Sequence, residues 1–467
     1  MTNEFVALTL ARFFMKKNNK KYKLYALLPL LLLLSSFVLS AQIVQNGKEH
    51  LISVEELLTN AVGNSKTLQV AAARIAIADA KSDQINAALL PTIAYTGGYT
   101  RLSTNVEPFA ITFPNGQQEV LNPILPNQFV NRISISEPLF TGFRGLNSIE
   151  LYHILACATR LDAKRDSGEL KINVLTAALN LYKLQEAQQI FNANLRTAEN
   201  RLIDLDNLRK QGIVLNNDVM KAELAKAQIE TARIETENNI LATQYALCLL
   251  AGLPENTPLR IDSSSIFRYL PTQNQDLNAL LSGAAQKRPD INALDTRLMA
   301  SEKQIKISQG SKYPFVTATA NLYFNNPNQR VFPPEARFYG TWDIGIALNW
   351  NLTNLYTARF HIAEARANHL QNRLQREQLS DAARSEITNN YYTWQTQQQK
   401  VKFAEKAIAQ ATENRRIVEA RQAQQIASST ELLDADALLL QTQINRITAQ
   451  TDERLQYYKL LKSAGKW

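Results

Sequence analysis

Catalysis and metal binding need reactive side chains at defined spacings, and this chain of 467 residues offers few of them. Its four histidines are widely separated, and His361 and His369 lie two full helical turns apart. Ligands on one helix must be three or four residues apart to reach one metal ion, so these histidines are interpreted as packing or surface residues. The sequence has no phosphate-binding glycine loop and no nucleophile elbow. We therefore predict that the protein is not an enzyme and uses neither a metal nor another cofactor.

One pair of acidic residues is spaced for a joint role. In the stretch TELLDAD, residues 430–436, Glu431 and Asp434 are three positions apart and share one face of a predicted helix. Charged residues on helices usually face water, and that interpretation accounts for the spacing. The second interpretation is a functional pair of carboxylates. The spacing alone leaves both interpretations open.

The N-terminus has the features of a secretory signal peptide. Five lysines between residues 16 and 23 precede an apolar run over 25–38 that ends in small residues. The run is short for a membrane-spanning helix and contains Pro29, so we expect residues 1–41 to be cleaved, with Met15 as an alternative start. This segment holds six basic residues and one acid, so the rest of the chain carries a formal charge of +4 rather than +9. With no basic stripe interleaved with aromatic residues, a nucleic-acid-binding protein is excluded.

The remaining chain contains an internal duplication. Residues that recur in matching order, at offsets of 223 or 213 positions, include Arg74 and Arg297, Pro91 and Pro314, Tyr245 and Tyr458, and Gly252 and Gly465. Matched prolines, glycines and tyrosines indicate a true repeat more strongly than matched alanines or leucines do. We therefore predict two copies of one repeat, residues 42–268 and 269–467.

Each copy ends in a very long helical stretch. No glycine or proline occurs between residues 346 and 464, so few residues would interrupt a helix there. A helix from about Tyr356 to Gln424 would be on the order of 100 Å long at ~1.5 Å per residue. The apolar residues that follow are spaced by four and three, which is typical of coiled-coil packing. They are Leu433, Ala437, Leu440, Ile444 and Ile447.

Each copy also has two segments in which apolar and polar residues alternate. In TWDIGIALNWNL, residues 341–352, every second residue from Trp342 onward is apolar, which predicts a two-faced strand. Such strands are predicted near 92–102, 129–140, 315–325 and 340–352. A soluble sheet half buried against helices would also alternate, but the signal peptide and the aromatic segment ends favour an outer-membrane β-barrel. Because four strands leave edges that hydrocarbon does not tolerate, we expect the chain to oligomerise.

Together these features resemble the TolC-like outer-membrane efflux channels (outer membrane factors) over essentially the whole mature chain. The motifs that carry the resemblance are EPLFTG at 137–142, LLAGLP at 249–254 and RPDI at 288–291. The second copy differs at 351–356, where it reads NLTNLY instead of a motif with proline and glycines. The resemblance implies a mostly α-helical homotrimer with a membrane β-barrel portion. Its twelve-stranded barrel would lie in the outer membrane and continue into a long α-helical coiled-coil tunnel through the periplasm.

The resemblance also implies a function and a set of partners. Such a channel is the passive exit duct of a tripartite efflux or type I secretion system in a Gram-negative bacterium. It takes substrates from an inner-membrane pump by way of a periplasmic adaptor (membrane fusion protein), and it contacts outer-membrane lipid. The alternative is a periplasmic coiled-coil adaptor or scaffold protein. That alternative accounts for the signal peptide and the coiled-coil spacing but leaves the strand at 341–352 unexplained.

The resemblance places helical hairpin tips near residues 210–218 and 424–432. The residues that it assigns to adaptor docking are Gly212, Ile213, Asp218, Gln425 and Ile426. Glu431 and Asp434 match the acidic pair that rings the narrowest point of the tunnel. Three copies of this pair would form a pore constriction of six carboxylates, which attracts cations and repels anions.

The second tip departs from the family pattern at two positions. Gln425 stands where the family usually has glycine, and Ala427 stands where some members have a basic residue that latches the closed state. We therefore do not expect that latch in this chain.

Cys157 and Cys248, the only cysteines, would lie at different heights on the first hairpin, on the order of 35 Å apart. No disulfide between them is expected.

Overall fold

The structure is a computed structural model that describes residues 50–255, 257–267 and 276–467. The chain divides into two units, Met1–His50 and Leu51–Trp467, and the description below concerns the second. The predicted signal peptide and the predicted boundary between residues 268 and 269 lie outside the described residues.

Within the described residues, helices and strands follow one another in two similar series. The first comprises β1 (His50–Ile52), α1 (Val54–Asn64), α2 (Lys66–Ala87), β2 (Thr92–Arg101), β3 (Phe109–Thr112), β4 (Gln118–Asn122), β5 (Asn127–Phe140), α3 (Arg144–Lys210), α4 (Asn216–Ala251), β6 (Leu259–Ile261) and α5 (Ser263–Phe267). The second comprises α6 (Leu277–Lys287), α7 (Pro289–Gly310), β7 (Phe315–Asn325), β8 (Tyr339–Asn349), α8 (Asn354–Ala423) and α9 (Ser429–Ser463). Both series contain a short helix, a 22-residue helix, two long strands, a very long helix and a helix of about half that length.

The two longest helices, α3 and α8, contain 67 and 70 residues and are about 100 Å long at ~1.5 Å per residue. They form hairpins with α4 and α9, which contain 36 and 35 residues. The half of α3 nearest the strands packs against α2 and α7, and ion pairs join Arg160 to Asp79 and Arg297 to Asp162. Within the described ranges, no helix combines the length and the apolar character needed to cross a bilayer.

Two glycines hold equivalent positions in the two series. Gly252 follows α4 and Gly465 follows α9, and their φ angles are positive at 66° and 69°. A Cβ on Gly252 would lie 2.4 Å from the Asn64 Cβ at the end of α1. A Cβ on Gly465 would lie 2.7 Å from the carbonyl carbon of Lys287 at the end of α6. Each hairpin therefore ends against the short helix of its own series, in a conformation and a space that suit only glycine.

The RPDI motif ties the start of α7 to both helices of the second hairpin. The Arg288 guanidinium donates to both Asp290 carboxylate oxygens, at 3.1 and 2.8 Å, and to Glu386 of α8 at 2.7 Å. It also donates to the Ser463 carbonyl at the end of α9, at 3.0 Å. Burial alone would raise the pKa of the Asp290 carboxyl, but hydrogen bonds and charge from Arg288 hold that pKa below its ordinary value. The motif therefore has a structural role in this chain.

The four long strands form one antiparallel sheet in the order β2-β5-β7-β8, so β2 and β8 are its edges. Strands β5 and β8 lead directly into α3 and α8. The helices therefore leave from one end of the sheet, and the strand connections 102–126 and 326–338 lie at the other. Strands β3 and β4 form a small hairpin within the first connection, and β1 pairs with β6.

The buried residues form separate clusters along the helices. The largest lies where α1, α3, α4 and β6 meet, and includes Leu57, Leu175, Leu181, Leu247 and Leu259. A second surrounds Trp394 of α8, which packs with Leu460 of α9. The Trp394 indole N–H donates to the Glu453 carboxylate at 2.9 Å, so this cluster also holds a buried charge-assisted hydrogen bond.

The predicted coiled-coil seam of α9 is partly buried within the single chain, and a second face of the helix is buried beside it. Leu432 and Ala435 are buried against α8 and the hairpin turn, whereas Leu433 is half-buried and Ala437 is exposed. The difference arises because α9 has two sets of neighbours. Leu432 and Ala435 face the partner helix of their own hairpin, and Leu433 packs against the hairpin of α3 and α4.

Candidate functional site

The four-stranded sheet has one apolar face and one polar face. One transverse row consists of Tyr95, Ile133, Leu322 and Trp342, and the neighbouring row consists of Ala94, Ser134, Asn321 and Asp343. Directly opposed residues point to the same side of a sheet, and adjacent rows point to opposite sides. Trp342, Ile344 and Ile346 are 67%, 75% and 73% exposed in the single chain. An exposed apolar face opposite a polar one is typical of a β-barrel wall with lipid on one side and water on the other.

Aromatic clusters lie at both ends of this sheet. The cluster away from the helices comprises Tyr99, Phe129, Phe324 and Phe338. The cluster at the helical end comprises Phe140, Phe143 and Tyr313. Strands β2, β7 and β8 have 10 or 11 residues, which matches the length of a membrane-spanning strand. Aromatic girdles at both membrane interfaces are typical of such strands, so the sheet has the dimensions and the chemistry of a membrane wall.

The two hairpin turns share one geometry. Gly212 and Gln425 both adopt the left-handed conformation, with φ angles of 71° and 61°. The next residue, Ile213 or Ile426, donates its N–H to the carbonyl five residues earlier, at 3.0 or 2.9 Å, which is the helix-ending bond of a Schellman motif. Ile213 and Ile426 are 56% and 63% exposed. Asp218 lies in the first turn of α4 and is half-buried. The predicted docking residues therefore lie at the two turns or within one helical turn of them.

Glu431 has a local role in starting α9. The Ser428 Oγ accepts a hydrogen bond from the Glu431 N–H at 3.1 Å, and the Glu431 carboxylate accepts from the Ser428 N–H at 3.4 Å. This reciprocal pair is a capping box, and its Ser-x-x-Glu spacing is readable in the sequence. A second carboxylate oxygen lies 3.6 Å from the Arg421 guanidinium, with both side chains about half exposed. The negative charge of Glu431 is therefore partly offset within its own chain.

Asp434 has a different environment. It is exposed, and within the described part of the chain its carboxylate makes no hydrogen bond or ion pair. Its neighbours Leu432 and Ala435 point away from it into the buried cluster of the hairpin. Of the two candidate constriction residues, Asp434 therefore carries the less compensated charge.

Contacts between the two hairpins lie close to these acids. The Asp436 carboxylate of α9 accepts from Arg415 of its own hairpin at 2.6 Å and lies 3.8 Å from Arg201 of α3, in the other hairpin. The Lys221 ammonium of α4 donates to the Thr430 hydroxyl at 3.3 Å. No local spacing in the sequence indicates these contacts, because Arg201 and Asp436 are far apart in the chain.

The remaining reactive side chains have packing environments. The Ser301 hydroxyl lies 2.8 Å from His369 Nδ1, which joins α7 to α8. Cys157 and Cys248 are free thiols, the first half-buried and the second buried. Among the described residues, no three His, Cys, Asp or Glu side chains are grouped closely enough to hold a metal ion.

A two-faced sheet between aromatic girdles, joined to helices about 100 Å long, defines the class of outer-membrane channel proteins. The chain belongs to the outer membrane efflux protein family, which it matches over residues 57–253 and 280–466.

Solved structures share this fold. CusC superposes with a TM-score of 0.75 at 17% identity, over 91% of this chain and 96% of that chain. The outer membrane protein VceC from Vibrio cholerae gives 0.71 at 18% identity, over 88% and 96%. The Campylobacter jejuni CmeC outer membrane channel gives 0.70 at 14% identity, over 91% and 90%.

Family membership confirms the resemblance to the TolC-like channels. The protein is therefore an outer-membrane efflux protein and not an enzyme, and it shares its fold with the solved outer-membrane proteins VceC and CmeC. Its fold is mostly α-helical with a membrane β portion.

Proposed function

We propose that three copies of this chain form a closed duct that serves as the exit of a tripartite efflux or type I secretion system. An inner-membrane pump would deliver the substrate through a periplasmic adaptor that docks at the hairpin tips. The observation that carries the proposal is the four-stranded sheet, which has an exposed apolar face and, within the described residues, two unpaired edges. Unpaired backbone groups in hydrocarbon cost several kcal/mol each, so the edges must pair with other chains.

The hairpin of α3 and α4 also supports assembly with further copies. One side of α4 carries exposed apolar residues at spacings that suit coiled-coil packing. They are Met220, Leu224, Ile234, Leu241 and Tyr245, each between 46% and 61% exposed. Exposed apolar residues that recur along one side of a helix indicate a helix partner, although Thr231 and Asn238 interrupt this stripe. Three chains of four strands each would give the twelve-stranded barrel, and the stripe would lie between neighbouring chains.

The tips supply the surface for the adaptor. Ile213 and Ile426 are exposed at the two turns, and Leu215 beside the first is 74% exposed. Apolar side chains at the end of a long hairpin have no partner within the described chain, so an adaptor helix would bury them. Gly212 and Gln425 would set the direction of the turns, and Asp218 would lie at the side of the docking surface.

Glu431 and Asp434 would form the constriction of the closed duct. In a planar bilayer, we expect Asp434→Asn to weaken cation selectivity more than Glu431→Gln, because Arg421 already offsets the Glu431 charge. Glutamine retains the side-chain acceptor of the capping box, so the Glu431 variant changes charge without removing the cap. A matched control is Glu255→Gln, which removes an exposed acid on the order of 50 Å from the tip at ~1.5 Å per residue of α4.

The selectivity measurement separates the constriction from the duct. Unchanged ion selectivity in the double variant of Glu431 and Asp434 would remove the constriction assignment and leave the duct intact. Failure of the purified protein to conduct at all, or a native mass other than three chains, would refute the closed trimer. The alternative of a soluble periplasmic adaptor or scaffold is set aside because the chain belongs to the efflux channel family.

A further inference from the structure

The connection between β7 and β8, residues 326–338, folds back over the polar face of the sheet. Asn328 is only 2% exposed, and its side-chain amide donates to the Tyr339 carbonyl at 3.2 Å and to the Thr341 hydroxyl at 3.3 Å. Thr341 belongs to the polar face, because it has the same parity along β8 as Asp343. The connection therefore begins on the side of the sheet that faces water in a barrel.

Arg330 fixes the connection to the strand beneath it. One guanidinium nitrogen donates to the Trp342 carbonyl at 2.9 Å, and the other lies 3.3 Å from the Asp343 carboxylate. Asp343 is held in turn by the Asn321 side-chain amide, which donates to it at 2.7 Å. The Arg330 N–H also donates to Asn328 Oδ1, at 2.9 Å. Arg330, Asn328 and Asp343 therefore hold the connection to the polar face as one hydrogen-bonded unit.

Aromatic contacts anchor the end of the connection to the other face. Phe338 stacks on Phe324 at 5.1 Å and contacts Phe129 at 5.6 Å, within the girdle away from the helices. Those two rings belong to the apolar face, since their strand positions share the parity of Leu322 and Ile133. The connection thus crosses the rim of the wall, with Arg330 on the inner side and Phe338 on the outer side.

We propose that residues 326–338 form a strap inside the outer mouth of the channel, and that the Arg330–Asp343 pair holds the strap across part of the passage and limits the size of solutes that enter from outside. The proposal rests on the closed barrel proposed above. In that barrel, three straps would narrow the mouth at the end opposite to the Glu431 and Asp434 constriction. Arg330 is 54% and Asp343 36% exposed, so each keeps surface available to the lumen and to passing solutes.

Two variants release the strap by independent routes. Arg330→Gln removes the charge and the paired guanidinium from an exposed loop residue. Asp343→Asn keeps an oxygen that accepts from Asn321 but removes the negative charge that holds Arg330. A matched control is Glu335→Gln in the same connection, because the Glu335 carboxylate bonds to the Tyr339 hydroxyl and not to Arg330.

The test is polymer exclusion from single channels in a planar bilayer. Neutral polyethylene glycols of increasing mass are added to the outer side, and the largest polymer that still lowers the conductance defines the cut-off. We expect both release variants to admit larger polymers than the wild type from the outer side, with no change from the tip side. Glu335→Gln should keep the wild-type cut-off.

The outcomes separate the strap from the duct. Conducting channels whose outer cut-off is unchanged in both release variants would overturn the strap while leaving the closed barrel intact. A shift of the same size in Glu335→Gln would also overturn it, since the effect would then belong to the loop as a whole and not to the Arg330–Asp343 pair. Absence of any conducting channel would instead refute the barrel itself.

Discussion

Replacing Gln425 with glycine should stabilise the second hairpin tip. Gln425 adopts a φ angle of 61°. In this left-handed region a residue with a Cβ has a conformational energy about 1–2 kcal/mol higher than glycine has. Glycine also loses more backbone entropy on folding, and this loss offsets about 0.5–1 kcal/mol of the gain. The net gain is therefore about 0.5–1 kcal/mol in the free energy of opening the turn, which corresponds to roughly two- to fivefold slower amide exchange.

Hydrogen exchange followed by mass spectrometry provides the assay, because it reports local opening of the tip in the intact assembly. The reporters are the N–H groups of Gln425, Ile426 and Ala427, which donate to Gln422 or Arg421 across the turn. Peptides from the middle of α8 serve as an internal reference.

The reciprocal variant, Gly212→Gln, is the matched control at the first tip. Gly212 has a φ angle of 71°, and an added Cβ would have no atom within 4 Å, so only the backbone conformation changes. Its tip should exchange faster, by a similar factor of about two to five. If Gln425→Gly left exchange unchanged while Gly212→Gln accelerated it, the left-handed conformation at Gln425 would not be strained.

Three further measurements test the helical region. Trp394→Phe removes the donor to the buried Glu453 carboxylate and should cost about 1.5–3 kcal/mol, seen as a lower urea midpoint with an unchanged slope. Arg288 holds the pKa of the Asp290 carboxyl below its ordinary value of 3.8 in the folded chain. The stability that ionised Asp290 contributes is therefore fully present above pH 3.8 and is lost as the pH falls through the lower pKa of the folded chain. Acid titration should show a shallower loss of stability in Asp290→Asn than in the wild type, and equal losses would contradict the pairing. Burial raises the pKa of the Cys248 thiol, so it should resist alkylation at pH 8 until the protein is denatured without reductant, when both cysteines should react.

Local patterns in the sequence predicted the elements well. The alternation over residues 341–352 predicted a two-faced strand, and β8 turns Trp342, Ile344 and Ile346 outward. The absence of glycine and proline predicted a helix from about Tyr356 to Gln424, and α8 spans Asn354–Ala423. These predictions succeed because alternation and helix breakers act on the backbone within a few residues.

Contacts between segments that are far apart in the chain could not be predicted from local patterns. The Arg421 guanidinium reaches Glu431 only because the turn at Gln425 folds α9 back along α8, and no spacing rule contains that distance. The spacing also did not show that a second face of α9, at Leu432 and Ala435, is buried against its own hairpin, because apolar spacing does not say which neighbour each residue meets. The Ser-x-x-Glu spacing of the capping box, in contrast, is readable in the sequence and explains the hydrogen bonds between Glu431 and Ser428.

The open edges of the sheet also constrain the biogenesis of the protein. Strand β2 has 10 residues and β8 has 11, and each pairs along one side only. A lone protomer would carry both unpaired edges into hydrocarbon, so insertion one chain at a time is blocked. In the proposed trimer, the chains would therefore meet in the periplasm or at the membrane surface and enter the bilayer together. The rate of insertion into lipid vesicles should accordingly rise more steeply than linearly with protein concentration, unlike that of a barrel built from a single chain.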